Sequence, residues 1–580
     1  MAENRVTLNI DGKDVTVERG TTVLQAAQQL NIHIPTLCYL KDVQAIGACR
    51  VCCVEVKGQR NLLASCAFPA AEGLVVQTNS PLAREARKLT VELLLSNHEM
   101  NCPTCARNLN CELQALANQL GIRDIPYQGA KSPVIVDESS PALRRDSSKC
   151  ILCRRCVSVC QEVQKVGILF PSKRGFATTV GPAFDSGLAE VACVNCGQCA
   201  AACPVGAIVE KDDTQKVWNA LADPDKFVVV QTAPAVRAAI GEEFGLEPGH
   251  AVTGKMVAGL RTLGFDRVFD TQFTADLTII EEGHELLKRV GKALKGEKVA
   301  LPMITSCSPG WIKYIEHFYP ELLDHLSTCK SPQQMFGALS KTYLAEKAGV
   351  APEKIFSVSI MPCTAKKYEC ERPEMCDSGY RDVDVVLTTR ELARMIKTAG
   401  INILQLADED FDDPLGESTG AATIFANTGG VMEAALRTVY EVVTKSALPS
   451  VDFQQVRGME GIKAATVKVG DLDVKVAVGH GLANAAKIMD EIKAGASPYH
   501  FIEIMCCPGG CIGGGGQPIP TNWEIRGKRA MAIYEEDKRL PKRKSHENPF
   551  IDQIYREFLK EPLGEKSHHL LHTKYRKRSA

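Results

Sequence analysis

The chain has 580 residues, which is too long for a single hydrophobic core, so we expect several domains. Its formal net charge of -1 gives no sign of nucleic-acid binding, and its hydrophobic content of 45% is ordinary for globular proteins. No stretch reaches the roughly 18 consecutive apolar residues that a membrane-spanning helix needs. The N-terminus leads directly into an alternating strand pattern and not into the apolar core of a signal peptide. We therefore expect a cytoplasmic protein with no nucleic-acid and no membrane partner.

The cysteines need a use other than disulfides, because thiols stay reduced in the cytoplasm. Sixteen of the 24 cysteines lie before residue 204, mostly in C-x2-C spacings, and this pattern indicates metal binding. Zinc uses the same ligands, but zinc sites usually come as isolated pairs of pairs. The spacings described next favour iron–sulfur clusters.

The first predicted domain spans residues 1–78. Apolar and polar residues alternate over residues 6–17 on both sides of an Asp-Gly turn, and a threonine-capped helix is expected over residues 23–30. Four cysteines follow with the spacing C-x10-C-x2-C-x13-C: Cys38, Cys49, Cys52 and Cys66. A small sheet with one helix and four cysteines suits a [2Fe–2S] cluster. The unit resembles the plant-type ferredoxin module, a β-grasp fold, although its first spacing is longer than C-x4-C.

The second predicted domain, residues 79–125, combines a helix with a mixed ligand set. The helix is expected over residues 83–96, and the ligands that follow are His98, Cys102, Cys105 and Cys111. One imidazole and three thiolates can hold zinc. The neighbouring iron–sulfur motifs favour a [4Fe–4S] cluster, whose potential the imidazole would raise.

A two-cluster domain is predicted over residues 140–210. The proline-containing stretch at residues 126–145, which leads into it and overlaps its start, has the composition of a linker. The domain contains the run C-x2-C-x2-C-x3-C twice, and in this ferredoxin pattern the fourth cysteine of each run ligates the other cluster. One [4Fe–4S] cluster is therefore assigned to Cys150, Cys153, Cys156 and Cys203. The other is assigned to Cys193, Cys196, Cys199 and Cys160.

The next part of the chain predicts a mostly parallel α/β domain over residues 220–525. Strand-like and helix-like runs alternate there, with strands expected at residues 227–230, 299–305, 355–361 and 383–387 and helices at residues such as 283–294 and 391–397.

Four cysteines of this domain are expected to converge on one buried site. Cys307 and Cys363 follow two of the strand-like runs, which is where ligands of open α/β sheets bind. Cys507 and Cys511 lie among glycines, a composition that suits a loop wrapped closely around an inorganic cluster. Lys366 would add positive charge.

Three motifs of this domain resemble the catalytic subunit of [FeFe]-hydrogenases. They read T-S-C-S-P-G-W at residues 305–311, M-P-C-T-A-K-K-Y-E at residues 361–369 and E-I-M-C-C-P-G-G-C-I-G-G-G-G-Q-P at residues 503–518. The resemblance covers the whole chain and includes a small-subunit-like segment at residues 526–580. It implies an iron hydrogenase that oxidises H2 or reduces protons and passes electrons along its clusters.

The resemblance also implies an H-cluster, a [4Fe–4S] cubane joined through one cysteine to a diiron site. Cys511 would be the bridging cysteine, and Cys363 and Cys507 would be further cubane ligands. The expected cofactors are therefore one [2Fe–2S] cluster, three [4Fe–4S] clusters and one H-cluster.

Further roles around the diiron site follow from the same resemblance. Lys366 would hydrogen-bond a cyanide ligand, and Met361 and Met505 would line the pocket. A proton path would run to the surface through four residues: Cys307, Glu282, Ser327 and Glu285.

The sequence departs from the family pattern at the fourth cubane ligand. The family has a second cysteine where this chain has Ser308, and Cys506 stands where a small residue is expected. In one arrangement, Ser308 or a water ligates the fourth iron and Cys307 is the proton relay. In the other, Cys307 becomes the ligand and Cys506 supplies the relay thiol. The paired loss and gain of a cysteine favours the second arrangement.

No G-x-G-x-x-G or Walker motif follows a predicted strand, so we expect this chain to bind neither NAD(P) nor flavin itself. Its accessory clusters and T-S-C-S-P sequence resemble subunits of multimeric NAD(P)-linked, electron-bifurcating hydrogenases. Flavin- and NAD(P)-binding partner subunits, or ferredoxin, would then exchange electrons with it. The alternatives are a stand-alone ferredoxin-linked hydrogenase, a non-catalytic hydrogenase-like iron–sulfur protein and a hydrogen sensor.

Overall fold

The N-terminal domain is a five-stranded sheet with one helix. In the computed structural model, which describes residues 4–470 and 472–579, the predicted hairpin turns at Asp11 and Gly12, whose φ angles are 49° and 83°. Thr22 caps the helix as expected, since its Oγ1 accepts a hydrogen bond from Gln25 N–H. The elements are β1 (Arg5–Ile10), β2 (Lys13–Glu18), α1 (Val23–Gln29), β3 (Cys53–Val56), β4 (Leu63–Ala64) and β5 (Val75–Gln77), with the strands in the order β2-β1-β5-β3-β4.

Two helices and a small ferredoxin-like unit follow. Their elements are α2 (Pro81–Asn97), α3 (Glu112–Gln119), β6 (Val136–Asp137), β7 (Leu143–Asp146), α4 (Arg155–Ser158), β8 (Phe170–Ser172), β9 (Thr179–Gly181), α5 (Gln198–Ala202) and β10 (Ile208–Glu210). The linker prediction for residues 126–145 is wrong in its second half, because β6 and β7 form an antiparallel sheet with β10. The pairing partner comes much later in the chain, so local composition does not reveal it.

The large domain contains two four-stranded sheets. Its elements are α6 (Thr214–Leu221), β11 (Phe227–Thr232), α7 (Pro234–Arg237), α8 (Thr253–Leu263), β12 (Arg267–Asp270), α9 (Thr271–Leu294), β13 (Met303–Ile304), α10 (Pro309–Phe318), α11 (Pro332–Leu339), α12 (Ala345–Ala348), β14 (Ile355–Met361), α13 (Ala365–Cys370), β15 (Val385–Thr388), α14 (Thr389–Thr398), α15 (Gly420–Thr423), α16 (Gly430–Thr444), β16 (Ile462–Val469), β17 (Leu472–His480), α17 (Leu482–Lys493) and β18 (Phe501–Met505). The first sheet, β12-β11-β14-β15, is all parallel, and in the second, β13-β18-β17-β16, only β16 is antiparallel.

Two predicted elements of this domain differ in extent from the observed ones. The strand expected over residues 299–305 is regular only at Met303–Ile304. The helix expected from residue 283 begins at Thr271, where the Asp270 carboxylate caps its N-terminus by accepting from Gln272 N–H at 3.1 Å. The early start matters because it gives α9 the length to reach from the sheet edge to the surface.

The C-terminal segment forms the helices α18 (Trp523–Arg539), α19 (Pro549–Ile554) and α20 (Glu565–Leu571). Ile551, Ile554 and Phe558 pack in one apolar core with Phe273 and Leu277 of α9, so this segment covers the long helix. Within residues 4–470 and 472–579, no helix has both the length and the apolar character to cross a membrane.

A buried ion cluster joins the ferredoxin-like unit to the large domain. The Glu210 carboxylate accepts from Arg390 at 2.6 Å and from Arg394 at 2.8 Å, both on α14. Burial alone would raise the pKa of Glu210, but the two guanidinium groups outweigh it and hold the pKa well below its usual range. The stabilisation is therefore fully present above the pKa of an unfolded glutamate, and it is lost as the pH falls from there toward the folded pKa.

We expect Glu210→Gln to lower the free energy of unfolding by about 3 kcal/mol at neutral pH, because Arg390 would be left buried without a carboxylate. The matched control is Glu138→Gln, since Glu138 pairs with Arg144 on the exposed surface, where an ion pair contributes less than about 1 kcal/mol. Denaturant unfolding of the metal-loaded protein measures both variants. Equal losses in the two would contradict this account of the interface.

Candidate functional site

A cavity lies where the carboxyl ends of the two sheets meet. Its walls come from the loops after β11, β13, β14 and β18, and it holds about 740 Å³ of space free of protein atoms. Parallel strands end at the same edge of a sheet, which explains why loops far apart in the chain meet here. The predicted residues in its lining are Cys307, Ser308, Met361, Cys363, Lys366, Met505, Cys506, Cys507 and Cys511.

Lys366 is held at the cavity wall by a carboxylate. Its Nζ donates to Glu369 Oε2 at 2.9 Å and to Cys307 O at 3.2 Å. Glu369 Oε2 also accepts from Ser331 Oγ at 2.8 Å and from Gln333 Nε2 at 3.1 Å. These bonds fix the ammonium group where it can meet an anionic ligand, and they compensate its burial.

The glycine-rich loop 511–516 is in backbone contact with the ferredoxin-like unit. A Cβ atom on Gly515 would lie only 2.4 Å from Cys196 O. Gln198 Nε2 donates to Gly513 O at 2.9 Å. A larger residue at Gly515 would push the two loops apart, so the glycine is required by this close approach.

The four residues of the predicted proton path are neighbours in the order Cys307, Glu282, Ser327 and Glu285. Burial raises the pKa of the Cys307 thiol well above its ordinary value, and the nearby Glu282 carboxylate raises it further. The pKa of Glu282 is raised to about 8, mainly by burial and then by the charge of the nearby Glu285. Ser327 lies between the two carboxyl groups and donates to Glu285 Oε2 at 3.0 Å. Glu282 is therefore protonated at neutral pH, and a neutral carboxyl can accept a proton on one oxygen while it releases one from the other.

Three residues at the outer end of this path were not predicted. Arg289 Nη2 donates to Glu285 Oε1 at 2.6 Å, and Thr328 Oγ1 donates to Glu285 Oε2 at 3.2 Å. Thr328 Oγ1 also lies 2.8 Å from His572 Nδ1. The i,i+4 spacing of Glu285 and Arg289 was visible in the sequence. His572 comes from the C-terminal segment, and no local pattern points to it.

The thiols of Cys307 and Cys506 face different neighbours. The Cys506 thiol contacts those of Cys196 and Cys507. Burial raises the pKa of the Cys307 thiol, and the nearby Glu282 carboxylate raises it further. The side chains of Cys307 and Cys506 pack in separate apolar cores. The structure thus places Cys307, and not Cys506, near Glu282 of the predicted proton path.

The eight cysteines of the ferredoxin-like unit sort into two cavities. One cavity is lined by Cys150, Cys153, Cys156 and Cys203. The other is lined by Cys160, Cys193, Cys196 and Cys199. Each takes three cysteines from one run and the last cysteine of the other, which is the sorting that two [4Fe–4S] clusters need. Burial raises the pKa of Cys153 and Cys193 to about 12, so metal binding would release their protons.

The four cysteines of the N-terminal domain also meet in one buried group. The Cys38 thiol contacts those of Cys49 and Cys66, and the Cys52 thiol contacts that of Cys66. Gln44 ties this group to the ferredoxin-like unit, because its Nε2 donates to Cys38 O at 2.7 Å and to Cys153 O at 2.9 Å. The arrangement fits a [2Fe–2S] cluster next to a [4Fe–4S] cluster.

His98 follows α2 and is buried with its Nδ1 unpaired among the residues that the structure describes. An unpaired buried nitrogen costs free energy, so a metal ligand role fits it. His98 and Cys105 both lie beside Lys149. Burial raises the pKa of the Cys111 thiol, and the nearby Cys105 thiolate adds to this effect. Cys102 starts the turn that leads to Cys105.

Comparison with known families assigns modules to five parts of the chain. Residues 3–81 match the 2Fe-2S iron-sulfur cluster binding domain, residues 87–126 the NADH-ubiquinone oxidoreductase-G iron-sulfur binding region and residues 149–207 the 4Fe-4S dicluster domain. Residues 226–515 match the iron only hydrogenase large subunit, C-terminal domain, and residues 523–578 the iron hydrogenase small subunit. The chain belongs to the iron-only, or [FeFe], hydrogenase family.

Individual relatives agree with this assignment. The hydrogenase is 54% identical to the NADP-reducing hydrogenase subunit HndD of Solidesulfovibrio fructosivorans over 99% of both chains. It is 42% identical to iron hydrogenase 1 of Clostridium pasteurianum, over 98% of this chain and 100% of that one. A solved structure of [FeFe]-hydrogenase HydA1 from Chlamydomonas reinhardtii, 45% identical, covers 63% of this chain and 99% of that one with a TM-score of 0.57. The predictions of an iron hydrogenase and of its multidomain fold are confirmed.

We expect Glu282→Gln to reduce dye-linked H2 turnover at least about 100-fold, because an amide cannot relay a proton. Iron content should stay at the unsubstituted level, since Glu282 is not in the cavity lining. The matched control is Asp276→Asn, another buried carboxyl of α9, which binds Thr419 and Asn548 instead of the proton path. Similar losses of turnover in both variants would contradict the assigned path.

Proposed function

We propose that this hydrogenase is the hydrogen-activating subunit of a multi-subunit enzyme that exchanges electrons with NAD(P). The succession of cysteine-lined cavities that ends at the cavity between the two sheets carries this proposal. Such a succession serves an electron acceptor bound outside the catalytic domain. The full-length match to an NADP-reducing hydrogenase subunit favours NADP. Because the sequence has no dinucleotide or Walker motif, partner subunits would bind the flavin and the nucleotide.

The ligand sets described above would hold one [2Fe–2S] cluster and three [4Fe–4S] clusters. The central cavity would hold an H-cluster on Cys363, Cys507 and Cys511. When bound, the H-cluster supplies the open iron position at which H2 is formed or split. Lys366 would donate a hydrogen bond to its cyanide, and Met361 and Met505, which line the cavity, would exclude water from it.

Four residues would move the proton between cavity and surface. Cys307 holds it at the cavity wall, and neutral Glu282 receives it on one oxygen while it releases a proton from the other. The Ser327 hydroxyl then passes a proton to Glu285, to which it already donates at 3.0 Å. Glu285 lies at the exit beside Arg289.

Two branches would bring electrons to the inner clusters. The N-terminal domain reaches the Cys153 cavity through Gln44. The domain with His98 reaches the same cavity through Glu112, which binds Arg155 at 2.7 Å. From there the Cys196 loop leads to the central cavity through its contact with Gly515. The outer position of both branches suits the docking of partner subunits.

A stand-alone hydrogenase served by ferredoxin is the second candidate, because the full-length Clostridium pasteurianum relative is named iron hydrogenase 1 and not as a subunit. A non-catalytic iron–sulfur protein fits less well, since Met361, Lys366 and Met505 all line the cavity. A cytoplasmic location remains the prediction for either hydrogenase.

We expect the matured protein to contain about 20 irons per chain, the content of one [2Fe–2S] cluster, three [4Fe–4S] clusters and a six-iron H-cluster. Elemental mass spectrometry with EPR spectroscopy checks this number. The set with His98 is the point at which zinc competes with iron. Stoichiometric zinc that disappears in Cys105→Ala would contradict the assignment of that set.

We expect the isolated chain to oxidise H2 with an artificial dye but to reduce neither NAD nor NADP, because both nucleotides would bind to partner subunits. Anaerobic spectrophotometry of the purified single chain measures both reactions. Reduction of NADP by that chain would refute the need for partners. Reduction of ferredoxin as fast as the dye would favour the stand-alone candidate.

A further inference from the structure

We propose that Cys506 is the fourth cysteine ligand of the cubane in the central cavity, in place of the thiol that Ser308 lacks. The inference rests on the proposed H-cluster and differs from both arrangements that the sequence suggested, in which the ligand was Ser308 or a water in one and Cys307 in the other. The geometry points to a cysteine at position 506 that takes the place of the family's cysteine at position 308, because both positions lie at the same corner of the cavity.

Ser308 and Cys506 share that corner. Cys506 N–H donates to Ser308 Oγ at 3.2 Å, and both residues line the cavity. A side chain at either position therefore reaches the same space. The Ser308 hydroxyl accepts a backbone hydrogen bond, and an alkoxide is a harder ligand than the thiolates that iron–sulfur clusters select.

Gly310 makes room for the Cys506 side chain. A Cβ atom on Gly310 would lie 2.7 Å from Cys506 Sγ and 3.3 Å from Cys506 Cβ. Gly310 is in the first turn of α10, where helix propensity alone would favour alanine. The missing side chain at Gly310 therefore leaves the space that the Cys506 thiol occupies.

Consecutive cysteines can both face the cavity at this point. Within a strand, neighbouring side chains point to opposite faces, which would prevent Cys506 and Cys507 from binding one cluster. Strand β18 ends at Met505, however, and the two cysteines lie in the loop beyond it. Their thiols are in contact there, and both residues are in the cavity lining.

The assignment leaves Cys307 free for the proton path. Cys307 lines the cavity and lies near Glu282, so a role in the cubane would remove the first thiol of that path. With Cys506 as ligand, the cubane has four thiolates, and no hydroxyl has to bind iron. The Cys506 thiol also contacts that of Cys196, so a sulfur of one cluster would touch a sulfur of the next.

The test is iron binding by the full chain produced without the diiron maturation machinery. We expect Cys506→Ala to lose about four irons per chain, the content of one cubane, together with the corresponding EPR signal of the reduced protein. Ser308→Ala and Cys307→Ala should keep the full iron content. The double variant Ser308→Cys with Cys506→Ala should regain it, because it returns the thiol to the position that the family pattern uses. The [2Fe–2S] EPR signal reports that each variant has folded.

Full iron content in Cys506→Ala would overturn the inference, and so would loss of about four irons in Ser308→Ala or Cys307→Ala. If Cys506→Ala does not fold, the variants Ser308→Ala and Cys307→Ala decide: full iron content in both supports the inference, and a loss of about four irons in either overturns it. H2 turnover by the matured, unsubstituted protein tests the proposed function separately. A protein with full iron and no turnover would remove that function and leave the ligand assignment intact.

Discussion

The close approach of the glycine-rich loop to the Cys196 loop is the constraint on which the rest of the structure depends. Electron transfer slows steeply with distance, so this contact is favourable because it brings the inner cluster site close to the cavity. Gly515 permits this contact because it has no Cβ atom; a Cβ atom at this position would lie 2.4 Å from Cys196 O and would clash with it. The hydrogen bond from Gln198 to Gly513 and the ion cluster of Glu210 hold the two domains in this register.

Charge compensation decides which titratable groups around the cavity are ionised. Lys366 is paired with Glu369, whose carboxylate also has neutral donors, so a buried charge is tolerated beside the site. Glu282 lacks a cationic partner of that kind, and burial therefore raises its pKa to about 8. A paired group can bind an anionic ligand, whereas an unpaired neutral carboxyl can relay protons. The same interior thus supports two different functions.

The C-terminal segment is part of the site although it lies at the far end of the chain. Arg529 donates to Ile512 O at 3.0 Å and to Pro518 O at 3.1 Å, and its charge is balanced by Glu242 at 2.6 Å. Arg529 therefore holds the glycine-rich loop by hydrogen bonds near its start and just after its end. His572 is linked through Thr328 to Glu285, the outermost residue of the predicted proton path. The small-subunit-like segment thus contacts both the glycine-rich loop and a neighbour of Glu285.

The sequence by itself determined the elements and ligand sets that depend on local spacing. The hairpin at Asp11, the cap at Thr22 and the two cysteine runs of the ferredoxin-like unit were all predictable, because turns, caps and C-x2-C ligands involve residues close in the chain. Only the tertiary structure decided the strand at residues 143–146, the contact of His572 with Thr328, and which of Cys307 and Cys506 lies near Glu282. Each of these depends on a partner that lies far along the chain, and neither composition nor periodicity encodes such a partner.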